Sequence, residues 1–167
     1  MIFKKKHDNQ LYYKLLSLSR NIFFYKKLNL PDTFETRIYL MFFHFSIILI
    51  IFKKKNVNFD QNSYDNLFHS IENNLRELGL GDVSVNKKMK ELNKILYDIL
   101  LKIEINETSK FEINQKLIFK YFEDLNQKID TKHTEFELYF KDFYNFCFEL
   151  PIDNMIRELN NFNYGSS

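Results

Sequence analysis

The sequence predicts an all-α protein, a single-domain bundle of about six to eight helices around a central apolar helix at residues 33–54. Three observations lead there. Apolar residues recur at three- and four-residue steps through most of the chain, the period of a helix with one buried face. Both prolines, Pro31 and Pro151, fall between the periodic segments. Glycine is scarce, at 3 of 167 residues, and no alternating strand pattern or hairpin turn competes.

The elements follow in order. Leu11 to Leu28 reads as one or two short helices ahead of Pro31. Pro31-Asp32-Thr33-Phe34-Glu35 offers Asp32 as N-cap and Glu35 at N3, a capping-box pattern, with Leu30 placed to staple onto the first turn. Ile38 to Phe52 is apolar on all sides and is followed by Lys53-Lys54-Lys55. A membrane-spanning helix needs about 20 apolar residues. This run is shorter, contains His44 and Ser46, and follows Glu35 and Arg37, so a buried central helix is the expectation. Tyr64, Leu67, Phe68, Ile71, Leu75 and Leu78 form the stripe of the next helix, which Gly79 ends as C′ residue. Val85, Met89, Leu92, Leu96, Ile99 and Ile103 form a packing seam. Asn106 to Lys110 is a polar connection. Leu117, Tyr121, Phe122, Leu125 and Ile129 predict another helix. Phe136, Tyr139, Phe140, Phe143, Cys147 and Leu150 predict one more, stopped by Pro151, and a short helix over Ile152 to Leu159 follows.

Composition narrows the function. Phe 19 and Tyr 10 make an aromatic share of 17%. Part of that share follows a codon bias that also favours Lys, Asn and Ile, so it carries no functional argument alone. A net charge of +2 is too small to argue for nucleic acid on bulk electrostatics, and no DNA partner is expected. The lysine knots, Lys4-Lys5-Lys6, Lys53-Lys54-Lys55 and Lys87-Lys88, read as solvated faces and helix ends. Attraction to anionic lipid or RNA is their alternative reading. One cysteine, Cys147, excludes an intrachain disulfide and reads as a small buried hydrophobe. The start lacks the apolar core of a secretory signal.

No catalytic, cofactor or metal motif is found. His7, His44, His69 and His133 share no ligand spacing, and His69 with Glu72 is a solvated pair on one face. Gly79-Leu80-Gly81 follows a helix rather than a strand, so it is no dinucleotide loop. Arg37 and His44 are taken as core polar residues. His44 sits in the most apolar helix and needs a partner there, because an unpaired ring costs ~1–3 kcal/mol.

The most specific signal is Leu75-Arg76-Glu77-Leu78-Gly79-Leu80-Gly81-Asp82, with Lys87 and Lys90 following. It is a tight helix-to-helix turn holding two of the three glycines. Lys87 and Lys90 near a helix start oppose the dipole by ~0.3–1 kcal/mol each. Local pairing of Lys87 with Asp82 or Glu77 would offset this. Alternatively, Arg76, Glu77, Asp82, Lys87 and Lys90 form an exposed corner that docks a partner.

Taken in order, these motifs resemble the ubiquinol–cytochrome c chaperone family. Arg20-Asn21 with Phe24-Tyr25 leads to Pro31-Asp32-Thr33, Arg37 and His44, then to the glycine turn with Val85, Lys87 and Lys90. The resemblance covers about residues 15–103, with a divergent Phe-rich helical part at 110–160, all within one chaperone domain of residues 1–165. Two positions depart from the family. Ser70 and Glu72 stand where a pair of aspartates is common, so no acidic cluster is carried over to that helix. Asp98 stands where a glycine usually follows the tyrosine matching Tyr97.

The resemblance implies a noncatalytic factor that binds newly made cytochrome b and assists assembly of ubiquinol–cytochrome c reductase in the respiratory chain. It implies nascent or newly inserted cytochrome b as client, a small partner protein and the ribosome as further partners, and peripheral membrane contact. The expected location is cytoplasmic, or peripheral at the inner face of a bacterial inner membrane, in an alphaproteobacterial-type cell with an AT-rich genome. A mitochondrial matrix protein is the alternative. Leu138, Phe146 and Phe148 lie off the main stripe of their helix and are candidate client surface. The competing function is a lipid- or quinone-binding bundle at the membrane surface, with His44 as its polar handle.

Overall fold

A computed structural model describes residues 9–105, 111–127 and 131–165. It contains seven α-helices: α1 (Gln10–Ser19), α2 (Phe34–Lys54), α3 (Gln61–Glu77), α4 (Asp82–Lys102), α5 (Gln115–Tyr121), α6 (Lys132–Glu149) and α7 (Ile152–Glu158). A wide π-type turn at Phe23–Lys27 follows α1, and short 3-10 turns follow α5 and α7. About 77% of the structure is helical.

α2 is the centre. Thirteen of its residues, including Leu40, Phe43, His44 and Ile47, are buried, and it packs against α1, α4 and α6. By length and composition it is apolar enough to cross a bilayer, but 67% of its most apolar stretch lies inside the protein. Its cap differs from expectation. Thr33, not Asp32, is the N-cap, and its hydroxyl accepts the Thr36 N–H at 3.2 Å. Glu35 therefore falls in the first turn rather than at N3. Asp32 lies one residue outside, where its carboxylate takes the Arg37 guanidinium at 2.7 Å. That pair also removes Arg37 from the core, since its side chain stays 28% exposed. A planar, always-charged group with a nearby carboxylate at the rim gains nothing from burial.

The far end of α2 closes on Asn56, which takes a positive φ of 57°. The Val57 N–H reaches back to the Phe52 carbonyl at 2.9 Å, a Schellman-type stop. Lys55 then leaves the lysine knot to donate to the carbonyls of Phe148 at 2.6 Å and Leu150 at 3.1 Å. A cation at the C-terminal end of α6 satisfies orphan carbonyls and favours the dipole.

Two expectations fail after α4. Ile103–Ile105 and Phe111–Ile113 form a two-stranded antiparallel pair, with Ile103 opposite Ile113. Phe111 and Ile113 are buried, with Glu112 exposed between them, the period-two alternation of a half-buried strand. Ile103 is buried in this pair rather than in the last turn of a helix. The predicted helix over Leu117–Ile129 stops at Tyr121, because Phe122 leaves helical geometry at φ −132°, ψ 69° and a 3-10 turn carries Leu125 into the core. Ile129 lies outside the described residues. Leu78, placed in the α3 stripe, is exposed because α3 ends one residue earlier.

α6 closes the core with Phe136, Tyr139, Phe140, Phe143 and Cys147, all fully buried. Their rings meet Phe24, Phe43 and His44 at centroid distances of 4.6 to 6.4 Å, mostly edge to face, a favourable geometry for aromatic pairs. Burial pushes the Cys147 thiol pKa up, so it packs as an apolar group. His44 is satisfied on both sides. Its Nδ1–H donates to the Leu40 carbonyl at 2.6 Å, so Nε2 accepts the Tyr139 hydroxyl at 2.7 Å. Burial drives its pKa down to about 3, against the smaller opposing effect of the Leu40 bond.

That geometry sets a pH dependence. The unfolded His44 binds a proton below about pH 6.5, while the folded ring stays neutral to about 3. Stability is therefore complete above pH 6.5 and falls toward pH 3 by up to ~1.4 kcal/mol per unit from this group. His44→Phe alone strands the Tyr139 hydroxyl and costs ~1–3 kcal/mol. His44→Phe also removes this slope, and adding Tyr139→Phe recovers most of the stability loss without restoring the slope. Urea denaturation of the three proteins between pH 4 and 8 checks both outcomes.

Candidate partner-docking corner

The glycine turn joins α3 to α4. Gly79 holds φ +95°, a conformation L side chains resist. The Gly79 N–H bonds the Arg76 carbonyl at 2.9 Å and the Leu80 N–H bonds the Leu75 carbonyl at 3.3 Å. This is a Schellman motif with Leu80 and Leu75 as its apolar pair. Gly81 is different. It is the N-cap of α4 at φ −78°, and an added Cβ would meet nothing within 4 Å. No backbone requirement for glycine exists there.

Arg76 ties the corner together. Its guanidinium bonds the Asp82 carboxylate across the turn and Glu72 one turn back at 3.3 Å. These bonds, the one to Asp82 foremost, raise its pKa. Asp82 sits in the first turn of α4, where an anion suits the dipole. The expected pairing of Lys87 with Asp82 or Glu77 does not form, because Arg76 reaches Asp82 first. Glu77, Lys87 and Lys90 are exposed, and no ion pair is found for them among the described residues. The corner thus separates into a structural pair, Arg76 with Asp82, and charges that face solvent.

The remaining sites are less concentrated. Leu138 is exposed, at 47%. Phe146 and Phe148 are half covered: Phe146 lies against Phe162 at 5.4 Å, and Phe148 stacks on Tyr144 at 5.7 Å beneath the Lys55 ammonium at 4.8 Å. The three do not form one open apolar patch. His44 has no free ring nitrogen, so it gives no support to a lipid- or quinone-binding role. Of the other histidines, His69 lies 4.0 Å from Glu72, His133 meets Gln115 at 3.2 Å, and His7 is outside the described residues.

Asp98, the departure from the family pattern, has a role the sequence did not show. It pairs with Lys102 at 2.5 Å and Lys120 at 2.7 Å, and accepts the Tyr121 hydroxyl. Burial alone would raise its pKa, but the bonds from Lys102, Lys120 and Tyr121 outweigh it and hold the carboxyl well below the usual range. This clip fastens α4 to α5. The missed signal was the recurrence of cations around a carboxylate on two sequence-distant helices, which no local spacing exposes.

The fold and corner define a helical bundle that presents a fixed, charged helix–helix turn. Residues 26–105, just under half of the chain, match the model of the ubiquinol-cytochrome C chaperone family, which supports the family that the motifs suggested. The match takes in Pro31-Asp32-Thr33, Arg37, His44 and the whole glycine turn, but starts after Arg20-Asn21 and Phe24-Tyr25. It supports a chaperone role in complex assembly, with a protein as partner. No curated protein and no solved structure matches the chain.

Two outcomes test the corner's construction. Gly79→Ala loses ~1–2 kcal/mol from its positive φ, whereas Gly81→Ser is neutral or slightly stabilising as a better N-cap; thermal unfolding of both checks the asymmetry. Asp98→Asn lowers stability at pH 7 by about 1 kcal/mol, discounted for its partial exposure. A depressed carboxyl pKa stabilises above its ordinary value near 3.8, so the gap to wild type narrows as pH falls below that value, measured by urea denaturation at pH 7 and pH 3.

Proposed function

We propose that this protein is a noncatalytic chaperone that binds newly made cytochrome b and assists assembly of ubiquinol–cytochrome c reductase. The carrying observation is the family match over residues 26–105, which spans the central helix and the complete glycine turn. The geometry supports a docking role. The Gly79 turn sets how α3 meets α4 through its backbone bonds, and Arg76 pairs with Asp82 across it. Glu77, Lys87 and Lys90 are exposed outside that joint with no ion pair among the described residues. A rigid, charged corner binds with less ordering cost than a flexible one.

The client meets the protein at the cytoplasmic side of an inner membrane, where cytochrome b is made and inserted. Leu138 is the member of the proposed client surface that remains open. A small partner protein and the ribosome are further binding candidates for the same family role.

Deleting the gene and quantifying assembled cytochrome b by its haem spectrum and by native electrophoresis tests this reading. The expected result is a several-fold loss of assembled cytochrome b with unrelated haem proteins unchanged, restored by re-expression. Normal levels in the deletion strain overturn it.

A further inference from the structure

The face of α4 opposite the core carries a second periodic stripe. The core seam runs through Val85, Met89, Leu92, Leu96, Ile99 and Ile103. Two residues back in each case are Val83, Lys87, Lys90, Lys94, Tyr97 and Leu101, all exposed. A two-residue offset is about 200° around a helix, so these six share one outward line. Val83 is 84% exposed and Leu101 80%. From end to end the line is about 27 Å long.

Charge on α4 is sorted onto this line. The helix has three acids, and each is engaged elsewhere: Asp82 by Arg76, Glu91 by Lys88 at 3.7 Å, and Asp98 by Lys102 and Lys120. Lys88 and Lys102 are thereby neutralised. The three α4 lysines with no ion pair among the described residues are Lys87, Lys90 and Lys94, consecutive members of the stripe. Their like charges repel along the helix, and with α4 beginning at Asp82 they lie past its first turn, beyond reach of the dipole. Among the described residues no carboxylate is paired with any of the three.

We infer that the Val83–Leu101 stripe is a docking seam for an acidic amphipathic helix of a partner protein. That helix carries carboxylates at matching three- and four-residue steps and apolar residues toward both ends. The four-three spacing is the register of helix-on-helix packing, and the charge is complementary. A second copy of the chain fits poorly, since pairing along this line sets lysine against lysine. A membrane surface fits less well, because an interfacial helix buries a continuous apolar face and keeps its lysines on the other, while here they occupy the middle of the contact line. This inference goes beyond the chaperone reading and does not depend on which complex is assembled.

The test uses the full-length chain and two synthetic 21-residue helical peptides of identical composition. In one, three glutamates follow the three-four spacing with leucines one step beyond at both ends; in the other they are scattered around the helix. Fluorescence anisotropy at low salt is expected to show the patterned peptide binding about tenfold or more tightly, as three exposed charge pairs allow. The Lys87→Gln/Lys90→Gln/Lys94→Gln variant, folded by circular dichroism, is expected to lose that preference. Equal binding of the two peptides, or an unchanged preference in the variant, overturns the seam. So does binding to 3:1 phosphatidylcholine–phosphatidylglycerol vesicles through these lysines in the absence of peptide binding. Normal cytochrome b in a deletion strain alongside patterned-peptide binding removes the chaperone reading and leaves the seam standing.

Discussion

The structure is organised by the need to enclose one helix. α2 is apolar around its whole circumference, so no single packing surface satisfies it. α1, α4 and α6 cover it, and the order of the chain follows from that demand. The same enclosure isolates His44 from water, and the Tyr139 hydroxyl becomes its acceptable partner. A polar ring in such a setting fixes the relative placement of α2 and α6 more sharply than apolar contact does, because a hydrogen bond at 2.7 Å tolerates little sliding.

Much of this was legible in the sequence. The period-3.6 stripes located α3, α4 and α6, and the scarcity of glycine pointed to Gly79 as a required stop. The failures have different causes. The strand pair at Ile103–Ile105 and Phe111–Ile113 is three residues on each side, too short for alternation to stand out against a helical background. The cap of α2 went to Thr33 rather than its neighbour Asp32, because the choice between adjacent capping residues is made by where the first turn begins, and Arg37 drew Asp32 outward. Phe122 broke a helix that its apolar spacing alone would have continued. The cap was decided locally, whereas Phe122 was drawn out of the helix to pack on Tyr39, Phe43 and Phe136.

The candidate site was legible as a place but not as an arrangement. Sequence spacing put Arg76, Glu77, Asp82, Lys87 and Lys90 near one turn. It did not say that Arg76 would occupy Asp82 and leave the lysines alone. Nor did attention to the turn disclose that Lys94, Tyr97 and Leu101 continue the line. That continuation is visible once the core seam is known, since the outward face is the seam shifted by half a turn.

The bond between His44 and Tyr139 joins the family-matched stretch to a segment outside it. α6 supplies the ring cluster and the hydroxyl that complete the α2 environment, and Lys55 in turn caps α6. The family-matched stretch and the folding unit are therefore different objects. What α2 requires of the back of the molecule is a broad aromatic face and one hydrogen-bond donor to the same buried imidazole, and the family-matched stretch supplies neither.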